Sequence, residues 1–138
     1  MTGIPKDVGV GYELPTVSKE VTLKKMRAYS GWPHRNIHTD DEVARHAGLP
    51  GAVCQGTQHL SYLSEVLKRF FGEYWMRGGK LSVTFIGLVM PGDVLTPRAI
   101  VREKVPEDEG WCLNLEVWME NQRGERVVVG TASARMPS

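Results

Sequence analysis

Leu60, Leu63, Val66, Leu67, Phe70 and Phe71 recur at three- and four-residue intervals between Gly56 and Gly72, while Glu65, Lys68 and Arg69 fall on the opposite side. That spacing predicts a long helix with a wide apolar stripe, and the stripe has to be covered by another layer. The cover comes downstream, where "KLSVTFIGLVM", "VLTPRAIVREKV", "WCLNLEVWMEN" and "RVVVGTASARM" read as four strands separated by "PGD", "PEDEG" and "QRGE". Within "WCLNLEVWMEN", Leu113, Leu115, Val117 and Met119 share one face, and Cys112, Asn114, Glu116 and Trp118 share the other. Alternation of this kind gives a sheet with one apolar side, turned to the helix. The expectation is an α+β fold in which an antiparallel meander wraps one long helix. The edges of so small a sheet invite pairing with a second copy, so a homodimer is expected.

The upstream half reads as shorter pieces. "MTGIPKDVGVGYELP" is a Gly- and Pro-rich leader arm, and "TVSKEVT" alternates well enough for a short strand. "TLKKMRAYSG" predicts a short helix capped by Thr22 and stopped by Gly31. "DDEVARHAG" predicts another, with acids in its first turn and Gly48 at its end, an arrangement that suits the helix dipole. With 138 residues and no internal repeat, residues 1–138 are expected to form one domain.

Several functions are disfavoured at this point. Seventeen Lys and Arg against sixteen Asp and Glu give a net charge of +1, so no overall field attracts a phosphate backbone and no nucleic-acid partner is expected. The apolar runs fall short of the ~20 residues a membrane span requires, and "MTGIPKDVG" has no signal-peptide core. A cytoplasmic location without membrane attachment is therefore expected. Cys54 and Cys112 form no CxxC pair and the four histidines supply neither HExxH nor zinc-ribbon spacing, so neither a metal nor a disulfide is expected. Cys54 lies two residues before Gly56, where a helix start stabilises a thiolate, but burial as a small hydrophobe is the favoured reading.

Chemistry concentrates in "GWPHRNIHTD", residues 31 to 40, which runs directly into "TDDEVARHAG". "NIHTDDEVARHAG", then "VCQGTQHLSYL", then "KLSVTFIGLVMPGDVL" resemble the MaoC-like hydratases and dehydratases, a branch of the hot dog fold that includes (R)-specific enoyl-CoA hydratases. The resemblance covers the chain from about residue 12 onward. It implies a hot dog dimer, a hydro-lyase acting on acyl thioesters of coenzyme A or of a carrier protein, and no cofactor. It also implies that the loop histidine, here His38, holds the water that is added or removed, together with an Asp five residues earlier. The backbone N–H near Gly56 would receive the thioester oxygen, with Gln55, His59 and Asn36 beside the substrate.

The chain departs from that pattern at the acid. Five residues before His38 stands Pro33, and "SGWPHRN" contains no Asp or Glu. Arg35 and Asn36 replace the family's Asn-Pro, and Gln55 stands where a histidine is common. His34 is the candidate for the vacant place, making a His-His pair with His38. Residue chemistry supports the same roles, because imidazole titrates near neutrality and a helix start presents unpaired N–H groups to a developing oxyanion. Of the remaining residues, Asp40 reads as a helix cap, His46 as a cation at a helix end, Tyr62 as packing, and Trp32 and "FFGEYW" as core or acyl-pocket wall. Two alternatives stand beside hydration: a diverged hot dog enzyme, such as a thioesterase or a cyclase or isomerase, and a non-catalytic acyl-thioester-binding subunit.

Overall fold

The computed structural model describes residues 4, 5 and 7–138, so residues 1–3 and 6 of the leader arm lie outside the described residues. In chain order the elements are β1 (Lys19–Glu20), α1 (Leu23–Tyr29), α2 (Asp41–His46), α3 (Gly56–Phe71), α4 (Glu73–Gly78), β2 (Lys80–Phe85), β3 (Val94–Glu107), β4 (Gly110–Glu120) and β5 (Arg126–Pro137). The strands form one antiparallel sheet in the order β1-β3-β4-β5-β2.

This order corrects the expected four-strand meander. Only β3, β4 and β5 follow one another, while β2 pairs with β5 at the far edge, Phe85 opposite Val128. The chain after β2 therefore crosses the sheet instead of turning back on itself. The predicted strand ends at Phe85, and Ile86 to Met90 become the crossing segment. The "PGD" stretch is still a turn: Gly92 has a positive φ of 93°, and buried Asp93 accepts hydrogen bonds from Met90 N and Gln122 Nε2, both at 2.9 Å. It delivers the chain to β3 after the crossing.

The central helix packs as its stripe predicts. Leu63, Val66, Leu67, Phe70 and Phe71 meet Ala99, Val101, Leu113, Leu115, Val117, Ala132 and Ala134 in the main core. Met119 joins a second cluster with Val21, Met26, Ala52, Cys54, Val89 and Leu95. That second cluster sits under the loops leading into α3 and anchors the region where the polar loop is held. Gly72, at φ 59°, ends α3, and a short helix not expected from the sequence follows at once. In it Trp75 stacks on Phe71, with ring centroids 6.5 Å apart, so the aromatic run is core in part and its flank in the rest.

Two upstream expectations need adjustment. The strand read over "TVSKEVT" shrinks to Lys19–Glu20, paired with Leu95 and Val94. The described part of the arm is no loose leader. Val8 and Leu14 are buried, Gly11 N and Leu14 N donate to Val101 O and Ala99 O, and Glu13 forms a bridge to Ile100. Thr22 and Asp40 cap α1 and α2 as expected, accepting from Lys25 N at 3.1 Å and Val43 N at 3.0 Å.

Candidate active site

The polar loop is held by two side chains. Thr39 is fully buried; its hydroxyl donates to His34 O at 2.8 Å and accepts from Asn36 N at 2.9 Å. Its carbonyl receives Arg27 Nε at 3.0 Å. Asn36 accepts from His38 N at 2.9 Å through Oδ1 and donates Nδ2 to Ser30 O at 3.1 Å. Short polar side chains bonding to nearby backbone give a turn its shape without a regular ladder. The loop is thereby fixed to the end of α1.

His38 is then clamped to the approach to α3. Its Nδ1 lies 2.9 Å from Val53 O, and Val53 N donates to Ile37 O at 3.0 Å. A carbonyl only accepts, so Nδ1 carries a proton and, in the tautomer this bond selects, Nε2 holds the lone pair. Nε2 makes no hydrogen bond among the described residues, which leaves it available to a reacting group. Val53 is three residues before Gly56, so this bond ties the imidazole to the beginning of the central helix.

That beginning carries unpaired donors. Gln55 is the N-cap, and its carbonyl receives the N–H groups of Gln58 and His59 at 3.0 and 3.4 Å. The N–H groups of Gly56 and Thr57 have no acceptor among the described residues. Unpaired N–H groups at a helix start, with its partial positive charge, form a natural receptor for an oxyanion. Two hydrogen bonds hold this end in place: Ser30 Oγ donates to Gln55 Oε1 at 2.9 Å, and Tyr29 OH donates to Thr57 Oγ1 at 2.8 Å. Asn36, His38, Gln55 and Gly56 are thus brought together.

The other candidates make no hydrogen bond to the His38 ring. His34 is exposed, its ring bonds to nothing among the described residues, and no hydrogen bond links it to His38. His59 is buried, and loss of solvation pushes its titration down to about 4, so the ring stays neutral. Burial likewise pushes the Cys54 thiol up to about 11, which excludes the thiolate and supports the packing reading. Trp32 is neither core nor enclosed wall: it is exposed with the Arg27 guanidinium 3.9 Å over its ring. Asp40 supplies no spare acid. It caps α2 and pairs with Arg35 Nε at 2.8 Å, and these bonds, the one from Arg35 foremost, hold its carboxyl down to about 2.

Several residues of the site escaped the sequence reading. Tyr29 and Ser30 are ordinary hydroxyls whose partners, Thr57 and Gln55, lie across the fold, and the Thr39 hydroxyl works within its own loop. Gln58 lies within "VCQGTQHLSYL" with no role expected of it there, and its Oε1 is buried without a hydrogen-bond partner among the described residues. Phe85 packs against Gly56, where a Cβ would stand 3.1 to 3.4 Å from its ring carbons. The pairing of β2 with β5 brings it to this point. Two cavities lie elsewhere: one of about 590 Å³ on the outer sheet face, lined by Lys80, Arg102, Asn114 and Glu116, and one of about 300 Å³ between the arm and α3, lined by Tyr12, Val66 and Phe70. Neither is lined by His38 or Gly56.

A long helix backed by a five-stranded antiparallel sheet, with a histidine loop fastened to the start of that helix, defines a hot dog protein with a polar site at the helix N-terminus. The chain belongs to the MaoC-like domain family, whose model matches residues 10–122. Solved structures agree on the fold. A MaoC-like dehydratase from Rhodospirillum rubrum is 20% identical, with a TM-score of 0.79 over 97% of this chain and 96% of its own. An (R)-hydratase from A. caviae involved in PHA biosynthesis is 21% identical, with a TM-score of 0.76 over 96% and 100%. An R-hydratase from Pseudomonas aeruginosa, in its unliganded form, is 20% identical, with a TM-score of 0.76 over 96% and 84%. No curated protein matches the sequence. No helix among the described residues is long and apolar enough to cross a membrane.

Proposed function

We propose that this protein is a hydro-lyase of enoyl and 3-hydroxyacyl thioesters, carried by coenzyme A or by a carrier protein. The observation that carries the reading is the bond from His38 Nδ1 to Val53 O, which leaves Nε2 free and ties the ring to the segment that leads into a helix start with unpaired N–H groups. In the hydration direction Nε2 takes a proton from water as the water oxygen bonds to the β-carbon. The π electrons move toward the thioester carbonyl, whose oxygen is received by the N–H of Gly56 and Thr57. The resulting imidazolium returns the proton to the α-carbon, so the elements of water are added across the double bond. Dehydration runs the same steps backward, and Gln55 and Asn36 hold the helix start and the loop in register throughout.

No carboxylate takes part in this scheme, because Pro33 occupies the place of the family acid and Asp40 is engaged by Arg35. The same observation favours a second reading, in which the site binds an acyl thioester without hydrating it or directs it to another reaction. Incubation with a trans-2-enoyl-CoA distinguishes them. Loss of enoyl absorbance without free thiol supports hydration, free thiol indicates a thioesterase, and tight binding without turnover indicates a binding subunit. For the exposed His34, a fall in turnover in His34→Ala supports its pairing with His38, while full turnover leaves the chemistry to His38. The unpaired edge of β2, continued by exposed Ile86 and Leu88, supports assembly as a homodimer.

A further inference from the structure

Beside the start of α3 lies a contact that the reaction above does not use. Phe85 ends β2 with 47% of its surface exposed, yet its ring is packed against Gly56, next to the unpaired N–H groups. Edge-on to it, with centroids 5.4 Å apart and planes at 88°, is the ring of His59, which is only 3% exposed. His59 Nδ1 is buried and has no hydrogen-bond partner among the described residues. Leaving a buried imidazole nitrogen unpaired is costly, so a partner that reaches it gains in affinity. A half-exposed aromatic ring set over a glycine is apolar surface of the kind an acyl chain covers.

We infer that the site takes acyl thioesters whose chain carries a hydroxyl or oxo group beyond the reacting carbons, with Phe85 packing along the chain and His59 Nδ1 hydrogen-bonding that oxygen. This rests on the acyl-thioester reading of the site but not on its hydration chemistry. Nδ1 donates to an oxo oxygen, or pairs with a hydroxyl in either direction according to its tautomer. A plain alkyl chain leaves that nitrogen unpaired in the complex as well, and sites with a buried polar group discriminate against ligands that fail to satisfy it.

Calorimetric titration with hexanoyl-CoA and 5-hydroxyhexanoyl-CoA tests the inference, because both are saturated and undergo no hydration. The wild-type protein is expected to bind the hydroxylated thioester roughly tenfold more tightly, the size of one good neutral hydrogen bond. In His59→Leu the two Kd values should come within about twofold of each other, and in Phe85→Ala both should rise while their ratio persists. Equal affinities in the wild type, or a preference that survives in His59→Leu, overturn it, and the wild-type ratio decides alone where the variant does not fold. A preference found in a protein that hydrates no enoyl thioester refutes the proposed reaction and leaves this inference standing. Hydration without the preference does the reverse, and binding of neither thioester overturns this inference while turnover of the enoyl thioester still decides the reaction.

Discussion

His38 and His59 show how the same side chain takes different properties from its surroundings. His38 is half-buried and fixed in one tautomer by Val53 O, so His38→Ala should lower kcat on an enoyl thioester by roughly a hundredfold or more with little change in thermal stability. His59 is the opposite case. Its titration near 4, against an ordinary 6.5, means that the unfolded chain binds more protons than the folded one between those values. Its share of stability is therefore complete above about 6.5 and is lost as pH falls toward 4, by on the order of 3 kcal/mol across the window. Urea unfolding at pH 7 and pH 5 should show this loss in the wild type and a much flatter dependence in His59→Leu. The variant should also gain about 1 kcal/mol at neutral pH, since it removes a buried unpaired nitrogen. The sequence pointed to His38 because its "NIHTD" context is local. It was silent about the unpaired state of His59, which follows from where β2 ends.

At the scale of elements, the long helix and the three strands of the β3-β4-β5 meander were legible because each carries its own periodicity. The place of β2 was not. "PGD" reads as a hairpin turn and does turn the chain, but strand order depends on which edge the apolar face of β2 can cover, and pattern alone does not encode that. The pairing of β2 with β5 rests on a close approach at Gly130, where a Cβ would run into the Ser82 carbonyl. Gly130→Ala should accordingly destabilise the protein by about 3 kcal/mol, read as a lowered urea midpoint, whereas the same change at open Gly124 acts only through its positive φ of 76°. The short helix after Gly72 was also missed. Six residues are too few for a periodic signal, and packing of Trp75 on Phe71 stabilises it.

At the scale of the whole molecule, a two-layer core carries the candidate site at one end of its central helix. Phe71 is fully buried at the centre of that core, and Phe71→Ala should cost about 3–5 kcal/mol and abolish cooperative unfolding near ambient temperature if the protein is of ordinary stability. Sedimentation should give two chains per particle, and a double change of Ile86 and Leu88 to Glu should give one if the β2 edge is the interface. The most direct measurement of function is the rate at which the wild-type protein and His38→Ala consume a trans-2-enoyl-CoA in water, followed by enoyl absorbance with free thiol read in parallel. Consumption by the wild type without thiol release, lost in the variant, is the expected result. Full activity in His38→Ala, or no hydration of any enoyl thioester by the wild type, would contradict the assignment of general acid-base chemistry to His38.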